Sequence, residues 1–288
     1  MHPLVKSAAK VIITAAILYF VFTKIHFADV LSVFADSTWY LFIPGLLFFL
    51  LSKWLSSDRL HLFLLALNPQ ISRLLNLKLY LLGMFYNLFL PGGIGGDGYK
   101  VYFLHKRFGM ETKKAFWAVM LDRLSGMASL IYLAIFISSA IFLPFVGKHW
   151  ILLLIPLSYW LYSFSIKKWL IYFDEIKHRT FLMAIIVQLA QIVQILFIIW
   201  SFGIDGQLPE YLLIFLVSSV VAVLPFTIGG VGARELTFLY GARWLGLDQE
   251  AAVAISLSFY VMTALTSFAG LYFHLLPGDL KISKEKAA

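Results

Sequence analysis

Leu90-Pro91-Gly92-Gly93-Ile94-Gly95-Gly96-Asp97-Gly98-Tyr99-Lys100 aligns without a gap to Leu224-Pro225-Phe226-Thr227-Ile228-Gly229-Gly230-Val231-Gly232-Ala233-Arg234. Both stretches read L-P-x-x-I-G-G-x-G-x-[K/R], and the second follows the first by 134 residues. The chain holds only 19 glycines in 288 residues, so an internal repeat explains the match better than chance does. In each copy the proline removes an amide donor and breaks a helix. The glycines then open backbone conformations that other residues reach only at a cost.

The surroundings of these two breaks are strongly apolar. Hydrophobic residues make up 61% of the chain, against about 45–50% in an ordinary globular domain. Charged residues make up 13%, and the mean hydropathy is +0.87. A soluble domain of this length needs more polar surface to cover its core. A soluble globular enzyme and a disordered chain are therefore excluded. The absence of cysteine excludes a disulfide scaffold, thiol catalysis and Cys-based metal sites. What remains is an all-α polytopic membrane protein, read as one transmembrane domain over 1–288.

Stretches free of Lys, Arg, Asp and Glu run over Val11–Thr23, Ser37–Ser52, Leu79–Gly96, Leu124–Gly147, Ile151–Ile166, Thr180–Ile204, Tyr211–Ala233 and Ala251–Gly278. The first resembles a signal peptide, with Lys6 and Lys10 ahead of it, but no small-residue cleavage site follows, so it reads as a retained helix. The third and seventh stretches carry the glycine breaks. From Leu77 to Leu90 a helix rises roughly 21 Å, short of the ~30 Å hydrocarbon core. The chain is therefore expected to turn back there, giving re-entrant half-helix hairpins at about 77–108 and 211–244 and about six full crossings.

Charge supports that count. With both termini inside, seventeen of the 23 Lys and Arg residues fall on inner segments, and only Lys24, Lys148 and Arg243 on outer ones. This is the positive-inside asymmetry of a cytoplasmic-membrane protein, and it accounts for the net charge of +8 without invoking nucleic acid. The first hairpin then enters from inside and the second from outside. Opposed similar hairpins form an inverted repeat, an architecture that in transporters puts the binding site near the midplane.

Six charges fall within the membrane's thickness on this reading: Lys100, Arg123 and Arg234, balanced by Asp97, Asp122 and Glu235. Such charges are costly, so partners or a function are expected. A half-helix starting after each glycine turn would expose amides and a positive dipole end. Gly95 and Gly96 in one tip, and Gly229 and Gly230 in the other, would let an anion approach the backbone, with Lys100 and Arg234 beside it. Phosphate is the natural guest. Asp97, Asp122 and Glu235 would orient the cations or meet an amino headgroup. Adjacent on a helix, Asp122 and Arg123 point about 100° apart and each should reach toward a different hairpin or cavity.

Two polar stripes accompany these residues. Ser256, Tyr260, Thr263, Ser267, Gly270 and His274 share one helical face. Gln188, Gln191 and Gln194 line part of another helix; helix–helix glue is the main expectation, and a headgroup groove the other. No catalytic motif, P-loop or metal-ligand spacing is present, so neither an enzyme nor a cofactor is expected.

At Leu90–Lys100, at Asp122-Arg123-Leu124-Ser125-Gly126 and at Leu224–Glu235 the chain resembles the lysylphosphatidylglycerol synthase transmembrane region, the flippase-like domain family. The resemblance covers nearly the whole chain. It implies a multi-pass protein that translocates a phosphate-bearing lipid, either aminoacylated phosphatidylglycerol or a polyisoprenyl-phosphate glycolipid. The last apolar stretch ends at Gly278 and the chain at Ala288, which reads as a stand-alone member without the synthase domain. A small-anion channel or transporter is the first alternative. A non-transporting scaffold for a lipid-modifying glycosyltransferase is the second. An enzyme partner and a homo-oligomer both stay open.

Overall fold

The computed structural model describes residues 19, 32–89, 95–146, 152–223 and 230–281. Both Pro-Gly turns, at 90–94 and 224–229, lie outside the described residues, and so does all of the first expected span but Tyr19. The described residues form nine α-helices and no strand: α1 (Phe42–Leu65), α2 (Arg73–Phe89), α3 (Gly95–Phe108), α4 (Thr112–Val146), α5 (Leu154–Trp169), α6 (Lys177–Ser201), α7 (Leu208–Val223), α8 (Ala233–Leu245) and α9 (Gln249–Leu275). Among the described residues, four helical stretches are long and apolar enough to cross a membrane: Trp39–Leu65, Thr112–Phe142, Lys177–Ser201 and Gln249–Leu275. The protein is an all-α, multi-pass membrane protein.

The expected hairpin arms are present as separate short helices. At 1.5 Å per residue, the 17 residues of α2 and the 16 of α7 reach about 25 Å, less than the ~30 Å apolar slab. Helix α2 packs along α3, and α7 along α8.

Two expected spans are longer than the charge-free stretches that announce them. Helix α1 continues past Ser52 to Leu65 and carries Lys53 and Arg59 with it. Both lie within the apolar helical stretch Trp39–Leu65. The helical period explains this, because Ser52, Ser56, Arg59 and Phe63 recur at intervals of four, three and four, and all are buried. Likewise α4 begins at Thr112 rather than Leu124, so Asp122 and Arg123 lie well inside it.

Helix α1 is the rod that joins the two hairpins. Near its start, Phe42, Leu46 and Phe49 share an apolar core with Tyr211, Ile214 and Phe215 of α7 and Phe238 and Ala242 of α8. Near its end, Leu60, Phe63 and Leu64 share another with Leu79 and Leu82 of α2 and Phe103 and Leu104 of α3. The two hairpins are thus anchored toward opposite ends of one spanning helix. Small residues set the fit of α1 on α6: a Cβ at Gly45 would touch the Gln194 carbonyl at 3.5 Å.

Local signals end the elements. Asp248 caps α9 by accepting a hydrogen bond from the Ala251 amide at 2.8 Å. Gly246 closes α8 in the left-handed conformation, where a side chain would be strained. Beyond α9, Asp279 accepts a hydrogen bond from Lys78 at 2.6 Å, tying the tail to the start of α2. That bond and the ammonium charge hold the Asp279 carboxyl below its ordinary range.

Candidate functional site

The buried charges form two linked sets. In the first, the Arg59 Nε donates to Asp122 Oδ1 at 2.7 Å, and both residues are buried. Gly126, one turn after Asp122, makes room for the guanidinium: a Cβ there would stand 3.3 Å from an Arg59 nitrogen. In the second, Asp97 is held between two cations. Lys100 Nζ donates to its Oδ1 at 3.0 Å, and Arg123 Nε pairs with its Oδ2. Lys100 also lies over the Tyr80 ring at 4.6 Å from the centroid.

Asp122 and Arg123 do diverge as adjacent helical residues must, but only Arg123 reaches a hairpin. Asp122 instead turns to Arg59 on α1.

The tips differ from a pair of open helix N-termini. Gly96 donates its amide to Asn87 Oδ1 at 2.8 Å, so an amide of α3 is already satisfied. At the other tip, Glu235 caps its own helix: Oε2 accepts from the Gly232 amide at 2.7 Å and Oε1 from Ser256 Oγ at 3.1 Å. Both Glu235 oxygens are taken, and the carboxylate offsets the positive end of α8. Gly95 starts α3, Gly96 and Gly230 are buried, and Gly229 lies outside the described residues.

Arg234 donates to Ser219 Oγ at 3.2 Å and lies over the Phe259 ring at 4.4 Å. Lys53 lies over the Phe49 ring at 4.5 Å and feels the charge of both Arg234 and Arg59. No ion pair among the described residues holds Lys53 or Arg234. The balance of three cations to three carboxylates read from the sequence therefore becomes five to three, because α1 adds Lys53 and Arg59.

Lys53 faces a cavity of about 200 Å³. Lys53 of α1, Tyr80, Met84, Asn87 and Leu88 of α2, Arg123 of α4, and Thr263 and Ser267 of α9 line it. The polar face of α9 is divided along its length. Ser256 meets Glu235 in the second hairpin, Thr263 and Ser267 face the cavity, and Gly270 packs on the Leu81 carbonyl of the first hairpin. His274 Nδ1 lies 3.0 Å from the Tyr86 hydroxyl, a hydrogen-bonded histidine. The glutamines of α6 reach other helices: Gln188 donates to the Gly126 carbonyl at 3.4 Å and Gln191 to Ser52 at 3.5 Å.

Lys100 does not line the cavity. It stands behind Tyr80, committed to Asp97, while Lys53 takes the wall position. The signal for Lys53 was in the sequence: it adjoins Ser52, whose helical face continues to Arg59.

The family model for the lysylphosphatidylglycerol synthase TM region matches residues 7–270. The chain belongs to that family. The match takes in every charged residue of the site, from Lys53 to Glu235. It makes this a membrane protein of lipid-related function. No curated protein matches the chain.

Proposed function

We propose that the protein moves a phosphate-bearing lipid across the cytoplasmic membrane, taking the headgroup through the central cavity while the acyl or isoprenyl tails stay in the bilayer. The observation that carries the reading is the cation excess there: Lys53 on the cavity wall without a carboxylate partner, beside Arg123. Lys53 is half-buried within an apolar helix, where a charge that lacks its counter-charge is costly, and an anionic ligand would supply one. At roughly 30 Å³ per water, the cavity accommodates about six waters, the scale of a headgroup phosphate.

The hairpins' anchorage toward opposite ends of α1 supports their entry from opposite faces, with both chain termini inside. The inverted relation would let the cavity be approached from either side in turn. Lys53 and Arg123 take the phosphate, and Arg234 adds positive field from the second hairpin. Asp97, Asp122 and Glu235 hold the cations and the helix start in place. The protein itself catalyses no reaction; lipid modification would belong to a partner enzyme. Phosphatidylglycerol, its lysyl ester and a polyisoprenyl-phosphate sugar share the anion that this site recognises.

Headgroup movement in proteoliposomes tests the proposal, using fluorescent forms of each of the three lipids. Losing one charge-assisted contact costs ~1.5–3 kcal/mol, so Lys53→Gln should slow movement roughly 10- to 100-fold with the fold retained. Arg234→Gln should also slow movement while the protein still elutes as a folded species. Chloride flux without lipid movement would instead establish an anion pathway, and unchanged flipping by both variants would overturn the phosphate dock.

A further inference from the structure

A second cavity, about 210 Å³, lies between α3 and α4, on the far side of the Asp97–Arg123 pair from the central one. Arg123 lines both. The rest of the second cavity's wall includes Gly98 and Val101 of α3 and Phe116 and Met120 of α4. Gly98 and Phe116 are exposed, and a Cβ at Gly98 would meet nothing within 4 Å, so the space opens sideways between the two helices. Apart from Asp97 and Arg123 its walls are apolar.

The ion pair that floors this space is asymmetric. The Arg123 side chain is 26% exposed, whereas Asp97 is 8% and Lys100 is 6% exposed. If Arg123 left Asp97, the carboxylate would keep Lys100 and would not become a buried orphan charge. The guanidinium could then offer a phosphate the two-pronged geometry that guanidinium groups offer carboxylates.

The geometry points to a lipid-entry vestibule between α3 and α4, where a phosphate-bearing amphiphile binds before it reaches the central cavity. Val101, Phe116 and Met120 hold the first segment of its tails. Arg123 exchanges Asp97 for the lipid phosphate and so opens the partition between the two spaces. Only the onward passage rests on the translocation reading; binding in the vestibule does not.

Photolabelling separates the two. Two probes are compared in proteoliposomes: phosphatidylglycerol and diacylglycerol, each with a diazirine near the glycerol end of one acyl chain. Peptides spanning Val101 and Met120 should take up the phosphatidylglycerol probe roughly tenfold more than diacylglycerol, the worth of one charge-assisted contact. Arg123→Gln should erase that preference, and Arg123→Lys should keep part of it. Met120→Trp fills the space without touching an ion pair and should lower labelling at Val101 by both probes. It supplies the test if the arginine variants do not fold. Equal labelling of the wild-type vestibule by the two probes would overturn the proposal, as would a preference that survives Arg123→Gln, or Val101 labelling unmoved by Met120→Trp. A clear phosphate preference with no headgroup movement would sink the translocation reading and leave the vestibule standing.

Discussion

Replacing Asp122 with Ala is expected to destabilise the protein by about 3–5 kcal/mol, the cost of leaving a buried cation without its partner. Arg59 is 5% exposed, and Asp122 is the one carboxylate among the described residues that pairs with it. Thermal unfolding in detergent, followed by loss of the monodisperse elution peak, reads this out. The double variant Arg59→Met/Asp122→Leu should recover much of the loss, because an apolar pair of similar size needs no counter-charge. A single variant as stable as wild type would mean that Arg59 draws its compensation elsewhere. The comparable change at Asp97 removes the carboxylate from Lys100 and Arg123, but the Arg123 side chain is 26% exposed, so the stability loss should be the smaller one.

The second large effect is at Gly96. Its backbone packs so closely on α2 that an added Cβ would fall on the Gly83 carbonyl, which is backbone and cannot swing aside. Gly96→Ala should therefore force α2 and α3 apart at about 1–3 kcal/mol or more. Two residues on, Gly98→Ala meets nothing within 4 Å and should be neutral or stabilising by up to ~1 kcal/mol, the helix preference of Ala over Gly. The same unfolding measurement should give opposite signs for these near neighbours. A mild Gly96→Ala would show that the hairpin tolerates a wider gap than its packing implies.

The contrast between those glycines marks where sequence reading stopped. The repeated L-P-x-x-I-G-G-x-G-x-[K/R] pattern announced two broken helices, and the arms appear at α2–α3 and α7–α8 within a few residues of expectation. It could not rank the glycines, because a contact between Gly83 and Gly96 joins two helices whose approach no local pattern specifies. Scanning for charge-free stretches had a more specific fault. The second stretch ends at Ser52 and is short, so flanking residues such as Lys53 must lengthen it, but it gives no sign that the helix runs on through Arg59 to Leu65. A charge paired across helices does not end a membrane helix, and Arg59 with Asp122 is such a pair. Read for period rather than for charge, Ser52, Ser56, Arg59 and Phe63 would have carried α1 onward.

Lys53 shows the same limit: it lines the cavity and feels the charges of Arg234 and Arg59, a setting that its place in the chain does not reveal. Conversely, Glu235 looked available to a ligand, but it is spent on the Gly232 amide and Ser256. Spacing alone permits a capping role for a carboxylate in the first turn of a helix, but only the position of Ser256 on α9 shows that its second oxygen is also taken.

Composition and periodicity by themselves determined that this chain is helical and lives in a membrane, because 61% hydrophobic residues leave no other solvent for its surface. They also determined where the helices break, since proline and glycine act on their own backbone. Tertiary structure alone decided which charges are partners and which have no ion pair among the described residues. An ion pair such as Arg59–Asp122 spans 63 residues of chain, and its energy depends on a distance of 2.7 Å that no sequence spacing encodes.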